Sequence, residues 1–157
     1  MIRTILFFAL FCAAAAHAGG FSGPVVGIAD GDTLTVLDGR TQVRVRLAGI
    51  DAPEKAQPFG TRARQSLAAC AFGRVATVDV LDQDRYGRAV GRVLVGERDC
   101  GLQQVADGYA RHFKRFAFRQ PETDRAAYAR AEEAARRARL GLWRDDQPTP
   151  PWEWRHP

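Results

Sequence analysis

The stretch from Thr33 to Glu54 reads TLTVLDGRTQVRVRLAGIDAPE. Apolar and polar residues alternate on both sides of Asp38-Gly39-Arg40, a tight-turn sequence, so the stretch predicts a β-hairpin. Arg44 and Arg46 fall between apolar positions and project from one face of the second strand. The stretch therefore predicts a sheet with a basic face that ends next to an acidic segment.

Further elements follow the same logic on either side of this hairpin. Apolar runs predict strands at 25–29, 75–81 and 89–95, and helical spacing predicts helices at 60–71, 102–107 and 121–139. Two hairpins with about three helices suggest an α+β, mainly β fold, a five-stranded Greek-key barrel of the oligonucleotide-binding (OB) class. The domain is predicted to span 19–146. Its Pro- and Trp-rich tail, 147–157, is predicted to be an extended segment that covers the domain.

The first 18 residues are predicted to be a signal peptide outside the fold. Arg3 gives a positive start, Ile5 to Ala16 is apolar, and Ala16-His17-Ala18 has the pattern of a cleavage site. A membrane anchor is the alternative, but about a dozen apolar residues fall short of the roughly 20 that span a bilayer. We therefore expect export, to the periplasm or out of the cell, without stable membrane association.

The two cysteines that remain after such processing are Cys70 and Cys100. An even pair in an exported protein predicts a disulfide, and two buried free thiols are the alternative. In the proposed fold we expect the end of the first helix and the start of the second to pack together, which would place the two residues side by side. The three histidines have no ligand spacing, so a histidine–cysteine metal centre is not expected.

Net charge favours a polyanionic partner without showing one. The chain has 23 Lys and Arg against 18 Asp and Glu, which gives a formal charge of +5. Many basic proteins only carry solvated surface charge, so the positions of the arginines matter more than their number.

Acidic residues follow two of the predicted strands. Asp30-Gly31-Asp32-Thr33 alone is typical of a turn, but Asp51 and Glu54 form a second acidic cluster at the end of a strand in the same sheet. Two carboxylates brought together repel each other unless a cation lies between them. Oxygen-only ligation selects a hard ion such as Ca²⁺ or Mg²⁺.

Two arginines, Arg46 and Arg88, accompany these acids. A guanidinium group binds phosphate oxygens with two parallel hydrogen bonds and remains charged. Carboxylates for a cation and arginines for a phosphate are together the groups needed to cleave a phosphodiester.

Three segments, 30–33, 46–54 and 84–88, resemble the staphylococcal nuclease family, and the resemblance extends from about Val25 to Trp143. It implies the OB-fold barrel and a Ca²⁺-dependent endonuclease that cleaves DNA and RNA with little sequence preference and leaves 3′-phosphates. It also implies a role for each of the following residues: Asp32, Asp51 and the carbonyl of Ala52 as Ca²⁺ ligands, Glu54 as general base, Arg46 and Arg88 as transition-state ligands, and Arg85 and Tyr86 as contacts to a second phosphate.

Other interpretations stay open at this point. A nucleic-acid-binding OB-fold module without catalysis would use the same basic face, and a calcium-dependent structural or envelope-interaction protein would use the tail. Arg44 and Arg62 either extend the basic surface or are only solvated. The rings of 109–118 are expected mainly in the core, although one of them could stack on a base. We expect a monomer.

Overall fold

The computed structural model describes residues 19–156, and the predicted signal peptide lies outside that range. Its strands are β1 (Phe21–Ile28), β2 (Thr33–Asp38), β3 (Thr41–Leu47), β4 (Ile50–Asp51), β5 (Val75–Gln83), β6 (Ala89–Val95), β7 (Arg98–Asp99) and β8 (Arg111–His112). Its α-helices are α1 (Gly60–Ala71), α2 (Cys100–Ala106), α3 (Glu122–Arg137) and α4 (Pro151–Trp154). Two 3₁₀ helices span Lys114–Arg119 and Gly141–Arg144.

Five strands form a closed barrel. They are hydrogen-bonded in the order β3-β2-β1-β5-β6, and a parallel pairing of β3 with β6 closes the ring. Strand β1 serves two neighbours, because Phe21–Pro24 pairs with β5 and Val25–Ile28 pairs with β2. The mixed α+β fold with a five-stranded OB barrel is therefore confirmed. The first four residues of β1 were not predicted because glycine and proline are poor strand formers.

The alternating apolar residues predicted for the hairpin point into the barrel. Leu34, Val36 and Val45 are fully buried, and so is Leu67 of α1, which packs in the same core. Helix α1 has the bounds that its pattern predicts, Gly60–Ala71. Burial of this kind contributes about 1.5–3 kcal/mol for each large apolar side chain, so this core sets the frame that carries the polar loops.

A small second sheet fixes the strand that follows the hairpin. Strand β4 pairs with β8, so that Ile50 lies opposite His112 and Asp51 opposite Arg111. The buried carboxylate of Glu132 in α3 accepts a hydrogen bond from the His112 amide at 3.1 Å. Helix α3 therefore positions β4 through β8.

Helix α3 and the segment before it differ from the predicted pattern. The helix ends at Arg137 and not at residue 139, and its buried side includes the acidic Glu132. Leu140, the last residue of the apolar stripe expected for this helix, lies beyond its end and is 40% exposed. Phe116 and Phe118 are 42% and 69% exposed, so the expectation that the rings of 109–118 lie mainly in the core is wrong for these two.

The C-terminal tail is not extended throughout. Residues 151–154 form the helical turn α4, which begins at Pro151. Proline suits the first turn of a helix, because it has no amide hydrogen to leave unpaired there. Trp152 packs against Phe113 with ring centroids 5.5 Å apart, so this turn lies on the domain as the tail prediction expected.

None of the helices between residues 19 and 156 is both long enough and apolar enough to cross a membrane.

The structure joins Cys70, near the end of α1, to Cys100, the first residue of α2. Reduction of this bridge should lower the free energy of unfolding by about 3–4 kcal/mol, because the chain-entropy model gives that value for a loop closed over 30 residues. Urea denaturation with and without dithiothreitol measures the loss. The Cys70→Ala/Cys100→Ala variant is the control, since dithiothreitol should not change its stability. A loss below about 1 kcal/mol in the wild-type protein would contradict the prediction.

Candidate active site

One guanidinium group joins the two acidic segments of the chain. Arg46, at the end of β3, forms an ion pair with Asp32, and its Nη2 lies 3.1 Å from Oδ1 of Asp51. The same Nη2 donates to the carbonyl of Ile50 at 3.2 Å. In the β2–β3 register Arg46 lies opposite Thr33, the neighbour of Asp32. The hairpin register thus delivers the guanidinium to the acidic loop.

Asp32 is held by further donors in addition to Arg46. Its Oδ2 accepts from the Ala52 amide at 2.9 Å, and its Oδ1 accepts from the Thr33 hydroxyl at 3.0 Å. Burial alone would raise the pKa of Asp32, but the charge of Arg46 and these hydrogen bonds outweigh it and hold the pKa below its ordinary value. Asp32 is therefore an ionised carboxylate at neutral pH.

Asp30 belongs to the same acidic loop. Its Oδ1 accepts from the Asp32 amide at 3.0 Å, which closes a tight local turn. Burial, and after it the negative charge of Asp32, raises the pKa of Asp30 to about 6. The turn residue of the sequence pattern thus also adds negative charge to the site at neutral pH.

Asp51 has no exposed side-chain surface. In addition to Arg46, it receives two hydrogen bonds from Arg155 in the C-terminal tail, 3.2 Å to Oδ1 and 2.8 Å to Oδ2. Burial raises the pKa of Asp51, and the two arginines oppose that effect. Two guanidinium groups therefore compensate one buried carboxylate.

Glu54 stands at the rim, with its side chain 37% exposed. Nη1 of Arg155 lies 2.6 Å from its Oε1. The Glu54 amide donates to the side-chain oxygen of Gln57 at 3.1 Å. A Cβ atom at Gly60 would lie 2.0 Å from the Glu54 carbonyl, so only glycine allows this turn to close against α1. The backbone of Glu54 is thereby fixed while its carboxylate is partly exposed to solvent.

The buried side-chain amide of Gln104 positions the loop that carries Asp30 and Asp32. Nε2 of Gln104 in α2 donates to the carbonyls of Gly31 and Ala63 at 2.7 and 2.9 Å. A Cβ atom at Gly31 would lie within 2.7 Å of the side chains of Ala52 and Ala63, so the loop touches α1 directly. The loop that carries Asp32 is consequently packed and hydrogen-bonded on both sides.

Arg85, Tyr86 and Arg88 form a separate cluster in the loop between β5 and β6. Nε of Arg88 donates to Asp84 at 2.6 Å, and the Asp84 carboxylate also accepts from the Tyr86 and Arg88 amides. Burial would raise the pKa of Asp84, but the hydrogen bonds from Arg88 dominate and lower it. The guanidinium carbon of Arg85 lies 4.8 Å from the centre of the Tyr86 ring, which is exposed.

The structure brings some of the predicted site residues together and leaves others apart. Asp32, Arg46 and Asp51 form one network, which Arg155 extends to Glu54. Between residues 19 and 156, no hydrogen bond or ion pair joins Arg88 to those carboxylates. The parallel pairing of Val45 with Ala89 nevertheless places the backbone of Arg88 beside the strand that carries Arg46.

Arg155 and Gln104 are site residues that the sequence pattern did not identify. Arg155 is one basic residue in a tail without a motif, and it meets Glu54 across 101 positions of sequence. Gln104 could have been predicted to be a buried polar residue, because it lies next to the apolar Val105 in a short helix that packs on the core. Arg44 and Arg62 are exposed, and their place in a basic surface stays a prediction.

The oxygen atoms of the site suit a hard cation. Within the described part of the chain, no group of three or more His, Cys, Asp or Glu side chains is arranged to hold a metal ion. A cation here would therefore use two carboxylates, Asp32 and Asp51, and a backbone carbonyl such as that of Ala52. The local acids outnumber the guanidinium groups: Asp30, Asp32, Asp51 and Glu54 against Arg46 and Arg155. That excess of negative charge fits a divalent ion.

Comparisons with known proteins show which proteins this chain is similar to. Residues 44–145 match the family described as staphylococcal nuclease homologue. The chain is 43% identical over 144 residues to a micrococcal nuclease of Shigella flexneri, covering 86% of this chain and 80% of the relative. It is 41% identical over 164 residues to protein ParB of Escherichia coli, covering 99% and 90%. An uncharacterized endonuclease of Escherichia coli O157:H7 is 38% identical over 135 residues, covering 85% and 84%.

The Arg46→Met variant should lose about 2–4 kcal/mol of unfolding free energy at pH 7, because it leaves the buried carboxylate of Asp32 without a compensating charge and Asp51 with Arg155 alone. Asp32, whose pKa is lowered, stabilises the wild-type protein above the ordinary pKa of an aspartate, and this contribution is lost as the pH falls. The difference between variant and wild type should therefore shrink as the pH falls below 3.8, the ordinary pKa of an aspartate. Urea denaturation in EDTA at several pH values measures it.

Arg44→Met is the matched control, since Arg44 lies on the same strand but is exposed. It should change stability by less than about 0.5 kcal/mol. Equal losses in the two variants, or a difference independent of pH, would contradict the assigned role of Arg46.

Proposed function

The chain belongs to the staphylococcal nuclease family, and from this premise we propose that it is a Ca²⁺-dependent endonuclease that hydrolyses DNA and RNA with little sequence specificity. One observation carries the proposal: Arg46 lies between two buried carboxylates, and a half-exposed glutamate stands at the rim of the same network. This arrangement offers a cation site, an anion ligand and a proton acceptor within one network of side chains.

The cation would be held by the carboxylates of Asp32 and Asp51 and by the carbonyl of Ala52. When bound, Ca²⁺ supplies positive charge that neutralises phosphate oxygens and favours ionisation of a nearby water. Hydrogen bonds from Ala52 and Thr33 hold the Asp32 carboxylate in place before any ligand arrives, so little reorganisation is needed.

Glu54 is proposed as the general base. It would accept a proton from the water that attacks phosphorus, as a new P–O bond forms and the bond to the 5′ oxygen breaks. Its backbone is fixed by Gln57 and by the close approach of Gly60, while its carboxylate faces solvent, as a base acting on an incoming water must. The departing 5′ oxygen takes up a proton, and the other product keeps a 3′-phosphate.

Arg46 and Arg88 are proposed to stabilise the added negative charge on the phosphorane-like transition state. Burial would lower the pKa of Arg46, but the charge of Asp32 dominates and raises it, so this guanidinium stays charged. Arg88 would have to exchange Asp84 for a phosphate oxygen, and it could then assist departure of the 5′ oxygen. Arg85 and Tyr86, exposed in the same loop, are proposed to contact a second phosphate.

Export and a monomeric state complete the proposal. The bridge between Cys70 and Cys100 supports an oxidising compartment such as the periplasm or the medium, because structural disulfides persist there. A lack of stable membrane association is part of the same proposal. The alternative function is a nucleic-acid-binding module that keeps these residues without catalysis.

The test is cleavage of a fluorescent single-stranded DNA and a matching RNA by the purified protein, in Ca²⁺ and in EDTA. We expect cleavage in Ca²⁺ alone. Glu54→Gln and Arg88→Ala should each reduce kcat/KM by about 10²–10³, because each removes a contact made in the transition state.

Glu133→Gln and Arg137→Ala are matched controls, because these residues form an exposed ion pair on α3. Both should cleave as the wild-type protein does. If the folded protein leaves both substrates intact in Ca²⁺ but binds them in EDTA, it is the binding module. In that case Glu54→Gln should leave affinity unchanged.

A further inference from the structure

The C-terminal strap, defined here as residues 147–156, ends on the oxygen atoms of the proposed catalytic site. Its Arg155 donates to both carboxylate oxygens of Asp51, at 3.2 and 2.8 Å, and to Oε1 of Glu54 at 2.6 Å. One guanidinium thus covers a proposed cation ligand and the proposed general base at once.

Several independent contacts seat the strap on the domain. Nε2 of Gln57 donates to the Thr149 carbonyl at 2.7 Å, and Arg111 donates to the Pro148 carbonyl. Trp152 packs against the Phe113 ring, and Pro151 is buried. The strap is therefore held against the domain by specific hydrogen bonds and ring packing.

The helical turn α4 then aims Arg155 at the site. Arg155 is the C-cap of this turn, and its amide donates to the Pro151 carbonyl at 3.1 Å. The position of Arg155 is thus fixed by the same turn that seats Trp152. Its side chain is 38% exposed, so water can reach this ion pair and screen it.

The strap supplies the positive charge that the buried Asp51 carboxylate would otherwise receive from the cation. Asp51 has no exposed side-chain surface, and a buried carboxylate is costly unless a positive group lies against it. Arg155 supplies that charge from a solvent-accessible side chain, whereas Arg46 is held more tightly between two buried partners, with 18% exposure. Of the two guanidinium groups on Asp51, Arg155 is the one that can leave.

We propose that the strap is an internal competitor for the cation: Arg155 occupies Asp51 and Glu54 in the cation-free protein and leaves them when a divalent cation binds. While Arg155 is in place, Oε1 of Glu54 is engaged with a guanidinium, which makes this carboxylate a weaker base towards water. Activity would therefore switch on at a higher cation concentration than the open site alone would require. The identity of the cation rests on the proposed function.

Calcium binding tests this directly without any nucleic acid. Isothermal titration of CaCl₂ into the cation-free protein at low ionic strength should show Arg155→Ala binding Ca²⁺ about 3- to 10-fold more tightly than wild type, since a competing ion pair of this exposure is lost. Arg155→Lys keeps the charge without the two-pronged geometry and should fall between the two. Trp152→Ala loosens the strap but keeps Arg155, and it should shift affinity in the same direction.

Arg137→Ala is the charge-matched control, because it removes one positive charge from an exposed pair on α3. Its Ca²⁺ affinity should stay within about 2-fold of wild type, as expected for a screened and distant charge. Unchanged or weaker Ca²⁺ binding in Arg155→Ala would overturn the proposal, and so would an equal gain in Arg137→Ala.

Cleavage assays on the same variants separate this inference from the proposed function. Tighter Ca²⁺ binding by Arg155→Ala, with no cleavage by any variant, would support the strap and reject the nuclease. Cleavage by wild type with the same Ca²⁺ affinity in both proteins would support the nuclease and reject the strap. A higher KM for DNA in Arg155→Ala at unchanged Ca²⁺ affinity would make Arg155 a phosphate ligand and would also overturn the proposal.

Discussion

The site depends on one guanidinium placed between two carboxylates that the fold has taken out of water. Asp32 and Asp51 lie on separate segments and would repel each other at close range, yet Arg46 ties both to the end of β3. A buried carboxylate is tolerated only beside a compensating charge. The hairpin register must therefore place the Arg46 guanidinium within reach of Asp32, and the start of β4 must bring Asp51 to the same group. The positions of the other site residues follow from this arrangement.

Much of the fold could be predicted from the sequence, because the features that determine it are local. Alternating apolar residues predict the hairpins, helical spacing predicts the bounds of α1, and a cysteine pair predicts the bridge between α1 and α2. Tertiary partners that override local preference could not be predicted. Glu132 lies on the buried side of α3 because its carboxylate accepts a hydrogen bond from the His112 amide. The pattern of apolar and polar residues alone predicts that a glutamate faces solvent. Neither the sequence around Arg155 nor the sequence around Glu54 contains a pattern that predicts the contact between them.

In this structure the charged groups of the site already have internal partners. Arg46 has Asp32 and Asp51, Arg155 has Asp51 and Glu54, and Arg88 has Asp84. A polyanion or a cation that enters must exchange these pairs rather than fill empty positions. Exchange of one ion pair for another yields only a small net free energy, so such a site selects by geometry and by charge more than by affinity. This constraint applies equally to a nuclease and to a binding module.

The pairs differ in how readily they can be exchanged. The two partners of Arg46 have little or no exposed side-chain surface, at 8% and 0%, and they belong to separate segments, so its departure would loosen the frame itself. Arg155 is 38% exposed on a short terminal turn, and Arg88 lies in a loop between two strands. Movement of either leaves the barrel unchanged. The fold thus separates an enclosed charge, which holds the carboxylates together, from more exposed charges that a ligand could replace.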